Sequence, residues 1–471
     1  MNGFVFLMSP CPRKLLAFAW ICGICLLAVG CQQWSSEVRI SQQYHDYLTI
    51  NSTDKHAEPQ PLADASIQSP LTEQSSFTLS ELISTAMLNH PELRKAQATI
   101  EEAQGQFVQA GLYPNPQLGW QASELNSPGA SAGRQGLVIG QNIVTADKLG
   151  IAQAAALEAI SVSDWQAISQ WYRIVSQVQT AYFEMLAAQR EVQVNEELAK
   201  IAEESFRTSE RLEKAGVGNR PNVLRAQVEW HQAQNRLQVS KQQAQAHWRL
   251  LVTAIGLKEL PMKALVGQLE QQTQDYQYDQ IRLELLAHHS ELQAAQAAIR
   301  EAEWRLRRAE AEVVPDLQFQ LMPEYSYPDR SMSGQINLTV AVPVFDRKQG
   351  NRQSAQAAVL KAHAQKKAIE LQLLEQLALA MQRYESSMIQ VKNYKNKIIP
   401  AAEESLRLIM LGYESGNAQF DFNAVALAQT TLAQARLAYV QALKDLQLAV
   451  IELEALRQFD HGRYFRDAKC R

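Results

Sequence analysis

KAGVGNRPNVLRAQ, residues 214–227, has a partner two hundred positions on, ESGNAQFDFNAVALAQ, residues 414–429. Each copy centres on a glycine, Gly216 or Gly416, which ends one long helical pattern and opens another. Ahead of each turn stands the same tetrapeptide, Ala202-Glu203-Glu204-Ser205 and Ala402-Glu403-Glu404-Ser405, an offset of 200 (402 against 202). After each turn an apolar seam runs at spacings of three and four. The first is Val223, Ala226, Trp230, Ala233, Leu237, Ser240, Ala244, His247, Leu251; the second is Val425, Ala428, Leu432, Ala435, Tyr439, Ala442, Leu446, Ala449. The offset there is 202 (425 against 223), so the second turn is two residues longer. A duplicated hairpin of long helices is the skeleton of this chain.

Working outward, residues Lys148 to Lys214 contain no proline. At about 1.5 Å per residue such a helix would reach on the order of 100 Å, far beyond any globular core. Its counterpart from Lys348 carries Pro400, where a kink or a break and restart is expected. Alanines along both seams allow close helix approach, and Gln, Arg and Glu keep the other faces wet.

Upstream of each long helix lies a second repeated unit. Thr78 or Ser80 caps a helix that Asn89-His90-Pro91 interrupts and that resumes with Pro91 in its first turn. His288-His289-Ser290-Glu291-Leu292 repeats that joint. Glu92, Leu93, Pro116 and Leu118 match Glu291, Leu292, Pro315 and Leu317 at one offset, 199 (291 against 92). The repeat favours a structural joint over a histidine metal pair.

The segment after each of these helices alternates with period two. Gly334 to Phe345 places Ile336, Leu338, Val340, Val342 and Val344 on one face and Asn337, Thr339, Ala341 and Pro343 on the other. Leu317, Phe319 and Leu321 alternate with glutamines before it, across a turn expected at Tyr325 to Ser333. In the first copy Leu118, Trp120 and Ala122 precede a Gly- and Ser-rich loop, and Gly136 to Val144 returns. Such strands suit a transmembrane barrel or a small soluble hairpin packed on helices. If they span a membrane, four strands per chain cannot close on themselves, and several chains must pool them.

The N-terminus reads as an export signal: Arg13 and Lys14, an apolar run to Gly30, then Cys31. Ala28-Val29-Gly30-Cys31 resembles a lipobox, in which Cys31 is lipidated (a palmitate-type anchor) and begins the mature chain; ordinary signal-peptidase cleavage nearby is the alternative. Residues 31–76 form a polar tether in which His45, Asp46, Asp54 and His56 read as a solvated surface rather than a metal site.

The chain has 471 residues, 46% of them hydrophobic, which excludes global disorder. A formal charge of −4 gives no reason to expect nucleic acid. Four of the five cysteines fall in the first 31 residues, so no disulfide framework or Cys-based metal site is expected. Neither a phosphate-binding glycine loop nor a Ser-His-Asp grouping is found, so neither enzyme activity nor a cofactor is expected.

The order of these elements resembles the TolC-like outer-membrane efflux proteins over about Phe77 to Leu456. The strings that carry it are Ile399-Pro400-Ala401-Ala402-Glu403-Glu404-Ser405-Leu406, Gly412-Tyr413-Glu414-Ser415-Gly416, Gln419-Phe420-Asp421-Phe422 and Gln429-Thr430-Thr431-Leu432-Ala433-Gln434-Ala435-Arg436. The resemblance implies a mainly α fold with a transmembrane β-barrel contribution: two structural repeats of helix, β-hairpin, long helix and helix, with four strands per chain pooled in a homotrimer above an α-helical barrel. It divides the chain into a lipoprotein-type signal peptide (1–30), the tether (31–76), two efflux repeats (77–270 and 271–458) and a tail (459–471). It implies a passive exit duct of a tripartite efflux pump or type I secretion system, lipid-anchored in the outer membrane, extending into the periplasm, with an adaptor protein and an inner-membrane pump as partners. Gly216, Arg220, Gly416 and Asp421 then become candidates for adaptor docking at the periplasmic tip. The competing reading is a lipid-anchored periplasmic coiled-coil scaffold or adaptor without a pore, which, unlike a barrel, would stay dispersed without detergent once its anchor is removed.

The anchor is directly testable. Cys31→Ser should leave an unprocessed or differently cut precursor that still inserts in part, because one acyl-type anchor adds only marginal membrane affinity. Intact-mass analysis showing an unmodified N-terminus elsewhere in the wild type would remove Cys31 as the lipid site.

Overall fold

The computed structural model describes residues 76–125, 132–216, 218–270, 274–415 and 419–458. Cys31 with the signal region, the tether up to residue 75, Gly416 and the tail from 459 lie outside the described residues. In chain order the elements are β1 (Ser76–Phe77), α1 (Leu79–Asn89), α2 (Pro91–Ala110), β2 (Gln117–Ser123), β3 (Arg134–Ile143), α3 (Lys148–Lys214) and α4 (Arg220–Ala254). Then come β4 (Ala264–Leu265), α5 (Tyr278–His288), α6 (Ser290–Ala311), β5 (Leu317–Ser326), β6 (Ser331–Val340), α7 (Gln349–Asn393), a π-helical turn (Tyr394–Ile398), α8 (Ile399–Glu414) and α9 (Phe422–Arg457). The fold is mainly helical with one antiparallel sheet.

The proline-free run folds as one helix, α3, 67 residues long. Its first half packs against α6, through Arg300 Nε to Glu158 Oε2 at 2.9 Å and Ser169 to Glu291 at 3.4 Å. Its second half packs against α4, α8 and α9: Lys241 meets Glu196, Ser209 meets the Tyr413 hydroxyl at 3.1 Å, and Arg436 bridges Glu197 and Glu403 at 2.7 Å each. The second long pattern divides where expected, but as a π turn. The Ile399 amide donates to Tyr394 O, five residues back, directly ahead of Pro400. A proline ring clashes with the carbonyl four residues earlier, and the wider turn moves that carbonyl away without ending the helix.

The seams bury as small-residue stripes: Val223, Ala226, Ala233, Ser240, Ala244 and Leu251 in α4, and Val425, Ala428, Leu432, Ala435, Ala442, Leu446 and Ala449 in α9. Two positions differ by one residue: Trp248 is buried in place of His247, and Val440 is buried while Tyr439 is half-buried, although Leu251, Ala442, Leu446 and Ala449 beyond them keep the expected face.

The repeat also organises the core. Phe77 stacks on Trp248 at 6.0 Å, beside Leu82, Ile174, Tyr182 and Leu251. Tyr276, Ile281 and Leu285 occupy the equivalent places against Leu373, Leu377 and Tyr384. Sequence periodicity does not mark the parallel bridge of β1 with β4, two residues each. It forms because the segment after α4 folds back over α3, where Tyr182 donates to Val266 O at 2.6 Å and Trp248 Nε1 to Leu260 O at 2.9 Å.

Both histidine joints are helix caps. His90 Nδ1 accepts from the Glu92 amide at 3.2 Å, and His289 Nδ1 from the Glu291 amide at 3.3 Å. Thr78 forms a capping box with Glu81, its hydroxyl accepting from the Glu81 amide and its own amide donating to Glu81 Oε2 at 2.9 Å. The end of α9 latches onto the second joint. Gln458, in the left-handed region at φ +45°, accepts from the Ser290 amide at 2.8 Å and lies 3.2 Å from His289 Nε2. Arg457 beside it clamps Glu284 of α5.

That clamp carries a pH dependence. The Arg457 hydrogen bond holds the Glu284 carboxyl below its ordinary value, with burial opposing it. A carboxyl lowered in the folded state contributes stability above its unfolded pKa and loses it as pH falls through the folded one. Detergent-solubilised wild type should therefore melt above Glu284→Gln at neutral pH, and the gap should close in acid. A gap of constant size would assign Glu284 to packing alone.

Candidate functional site

Two places in the structure combine exposed side chains with a geometry that packing alone does not require: the sheet and the pair of interhelical turns. In the sheet the order is β2-β3-β5-β6, antiparallel throughout. The first repeat's hairpin thus pairs with the second's through β3 and β5, while β2 and β6 are its edges. Cross-strand pairs keep the faces apart. Leu118 opposes Ile139, and Leu317, Phe319 and Leu321 oppose Val340, Leu338 and Ile336. On the other face Gln318 opposes Thr339 and Gln320 opposes Asn337. Leu118, Trp120, Ile139, Ile336, Leu338 and Val340 are all exposed and form one apolar face of the sheet.

The hairpins depart from expectation in three ways. The β5–β6 turn is only residues 327–330, tightened by Ser326 donating to Asp329 Oδ2 at 2.8 Å, so Tyr325 and Ser333 belong to strands. The strand expected to run to Phe345 stops at Val340. Val342 and Val344 lie past it, with the Val344 amide donating to Val342 O at 2.9 Å; Pro343 between them has no amide to extend a ladder. The β3–β5 ladder also opens opposite Pro323, between the pairs Gly136–Glu324 and Ile139–Leu321. A Cβ on Gly136 would lie 2.4 Å from Pro323 O, which restricts that position to glycine.

A polar knot joins sheet to helices. Lys148 Nζ, largely buried, donates to Asp316 Oδ1 at 2.6 Å and to Val314 O at 2.5 Å. Thr145 donates its amide to Asp316 Oδ1 at 3.1 Å and its hydroxyl to Pro315 O at 2.8 Å. The start of α3 is thereby pinned under the start of β5, across the repeats.

At the far end the two turns come together. Gly216 adopts φ +76° and its amide donates to Glu213 O at 3.0 Å; Gly218 donates to Leu212 O at 2.9 Å. A side chain at Gly216 would meet nothing within 4 Å, so the glycine answers a backbone requirement, not a steric one. Asn219 caps α4 by accepting from the Asn222 amide at 3.0 Å, and Arg220 reaches back to Glu213 at 3.5 Å while remaining mostly exposed. In the second turn Asp421 caps α9, accepting from the Ala424 amide and from Asn423 Nδ2 at 2.9 Å each. Arg225 Nη1 donates to Asn423 Oδ1 at 2.8 Å and ties one turn to the other.

Beneath them Tyr413, Phe422, Val425 and Ala226 form a small core. Gly412 lets the Phe420 ring lie against α8, since a Cβ there would stand 2.3 Å from it. Of the sequence candidates, Gly216, Arg220 and Asp421 therefore lie in the same pair of turns. Arg225, Asn423 and Phe420 are not among those candidates; in the sequence the strings Gly412 to Gly416 and Gln419 to Phe422, with the seam positions Ala226 and Val425, point toward this core.

Among the described residues no helix is long and apolar enough to cross a membrane, and no group of three or more His, Cys, Asp or Glu could hold a metal ion.

Comparison with known proteins bears on this arrangement. Residues 82–257 and 281–457 match the family described as outer membrane efflux protein. The cobalt-zinc-cadmium resistance protein CzcC of Cupriavidus metallidurans is 25% identical over 385 residues, covering 81% of this chain and 90% of that one. A membrane protein from Pseudomonas aeruginosa superimposes with TM-score 0.70 at 20% identity, covering 80% of this chain and 93% of its own. The outer membrane protein VceC of Vibrio cholerae gives 0.68 at 19%, covering 80% and 95%. The CmeC outer membrane channel of Campylobacter jejuni gives 0.69 at 13%, covering 83% and 88%.

Proposed function

The chain belongs to the outer membrane efflux protein family, and we propose that three copies of it pool their sheets into one closed barrel in the outer membrane, with the long helices hanging into the periplasm as a second barrel. Its function is that of an exit duct for efflux, a passive conduit rather than a catalyst. The observation that carries the oligomer is the sheet itself, four strands with alternating faces and two open edges. Hydrocarbon offers no partner for edge amides and carbonyls, so a spanning sheet must close, and four strands are too few to do so alone. Strands β3, β5 and β6 have ten residues each, the length a tilted strand needs to cross a bilayer.

In this reading Cys31 anchors the N-terminus to the same membrane by lipid. The turns at Gly216 and Gly416 lie at the far periplasmic end, where the duct meets an adaptor protein and, through it, an inner-membrane pump. Arg220, exposed beside the first turn, is the polar group best placed for that contact. Asp421 serves first as the cap that holds the second turn. Energy and selection come from the pump, and the metal-resistance relative makes divalent cations one substrate class for transport assays. A type I secretion system is the alternative assembly in which such a duct would serve.

The membrane assignment is checked at adjacent positions. Arg at Ile336, on the apolar face midway along β6, should cost about 2–4 kcal/mol of assembly, whereas Arg at Asn337, on the polar face, should leave assembly intact and alter conduction. Equal tolerance in a membrane-assembly assay would count against the barrel and favour the pore-free scaffold.

The tip assignment is checked by Gly216→Trp. A Cβ at Gly216 meets nothing within 4 Å, and the left-handed backbone costs roughly 1–2 kcal/mol, so a folded, membrane-inserted oligomer should still form. Loss of export with normal assembly is expected; normal export with normal assembly would sink the docking role.

A further inference from the structure

Gly256 and Gln458 are counterparts, at the offset of 202 (458 against 256) that also relates Val223 to Val425. Each follows a long helix, α4 or α9, in the left-handed region, at φ +80° and φ +45°. Each also lies against a histidine cap. A Cβ on Gly256 would stand 3.0 Å from the His90 Cα, and the Gln458 side chain reaches the His289 ring. Glycine is the ordinary residue at a left-handed helix end. A glutamine resists that conformation, so what its side chain does at the joint offsets the resistance.

Three hydrogen bonds are within reach there. The Ser290 amide donates to Gln458 Oε1 at 2.8 Å, the Glu291 amide faces His289 Nδ1 at 3.3 Å, and Gln458 Nε2 lies 3.2 Å from His289 Nε2. His289, Ser290 and Gln458 are all buried. The three bonds cannot be made together. An amide nitrogen only donates, so the contact between the two Nε2 atoms needs a bare nitrogen on the ring. The cap needs Nδ1 bare as well, and a neutral imidazole has one bare nitrogen. Rotating the Gln458 amide satisfies both nitrogens of the Nε2–H tautomer but turns its NH2 group on the Ser290 amide. Each neutral arrangement therefore makes two of the three bonds. A protonated ring, donating from both nitrogens, makes one.

The joint is also where two helices meet. α6 lies on the first half of α3 and α9 on the second. α7 touches both, through Lys366 to Gln296 of α6 at 2.6 Å and Arg383 to Glu452 of α9 at 2.7 Å. The two helices thus follow end to end between α3 and α7, and Gln458 with His289 is their join. We infer that His289 is a proton switch on this join. Neutral, it holds the end of α9 against the start of α6; protonated, it gives up one of the two bonds and slackens the link between the halves of the helical wall. The switch belongs to each chain and operates whether or not the sheets pool.

The surroundings admit a charge on the ring. The cleft beside His289 carries Arg173 and Glu184 from α3 and Glu291 from α6, while α7 and α9 present only uncharged side chains to it, Gln372 and Gln376 among them. His288 precedes the joint on α5, and Arg457 is committed to Glu284. Two carboxylates against one guanidinium do not oppose a proton on His289.

Gln458→Glu removes the conflict. A carboxylate accepts from the Ser290 amide and from a ring Nε2–H together, which leaves Nδ1 bare for the cap, and protonation of the ring then makes an ion pair. Full-length protein in detergent is compared at about pH 8 and about pH 5.5, on either side of the ordinary histidine value of about 6.5. Hydrogen exchange of residues 290–293, corrected for its intrinsic rate, reads the joint. Wild type should exchange about fivefold faster in acid, the worth of one hydrogen bond. His289→Asn, a favoured cap that does not titrate, should show no such change. The Tm of Gln458→Glu should rise relative to wild type as pH falls. Glu284, held below its ordinary carboxyl value, does not titrate in that window. An equal acid response in wild type and His289→Asn would overturn the switch, as would a Gln458→Glu Tm that stays level or falls relative to wild type. Should Gln458→Glu fail to fold, the comparison of wild type with His289→Asn decides alone.

Discussion

A backbone amide or carbonyl left unpaired in hydrocarbon costs several kcal/mol, and each chain here presents two rows of them, along β2 and along β6. Much else answers to that constraint. Pairing β3 with β5 uses one edge of each hairpin, so the first repeat and the second become a single sheet. In the proposed barrel the remaining edges are satisfied by another copy. The knot of Lys148, Thr145 and Asp316 serves the same end, because it fixes where α3 leaves the sheet. A helix 67 residues long magnifies any tilt at its root, so its exit must be held rigidly.

The helical part obeys a different economy. Small residues along α4 and α9 let α3 and its neighbours approach closely over their whole length, and surface ion pairs such as Arg436 with Glu197 and Glu403 add little energy individually. Stability is concentrated instead at the middle, where Phe77, Trp248 and Tyr182 in one repeat and Tyr276, Leu377 and Tyr384 in the other form the two large cores. The ends are held by caps and turns. The core beneath the paired turns is by contrast only a few side chains around Tyr413 and Phe422.

The two repeats diverged where one chain has to do different things. Phe77 became Tyr276, whose hydroxyl donates to Glu454 at 2.9 Å, and burial with that carboxylate beside it pushes the phenol well above its ordinary range. The joints at His90 and His289 have the same cap, yet only His289 has the Gln458 latch, because the left-handed residue against His90 is Gly256, which carries no side chain. The second turn is two residues longer than the first, and its helix is capped by Asp421 where the first has Asn219. Common ancestry of the halves is visible in the offsets, and their separate duties in the exceptions.

Local periods and punctuation carried much of this in the sequence alone. A proline-free run dictated α3 from Lys148 to Lys214, Thr78 or Ser80 announced a helix cap, Pro91 placed a helix start, and Gly216 marked a turn. Each follows from the preferences of a few adjacent residues, and those preferences hold whatever the rest of the chain does. The tertiary structure alone decided the strand order, the bridge of β1 to β4, the end of β6 at Val340 and the ties of Arg225 to Asn423 and Gln458 to Ser290. These join residues far apart in the chain. No period within a window of a dozen residues records which distant edge will supply a partner, because that choice is made by the packing of α3 against everything else.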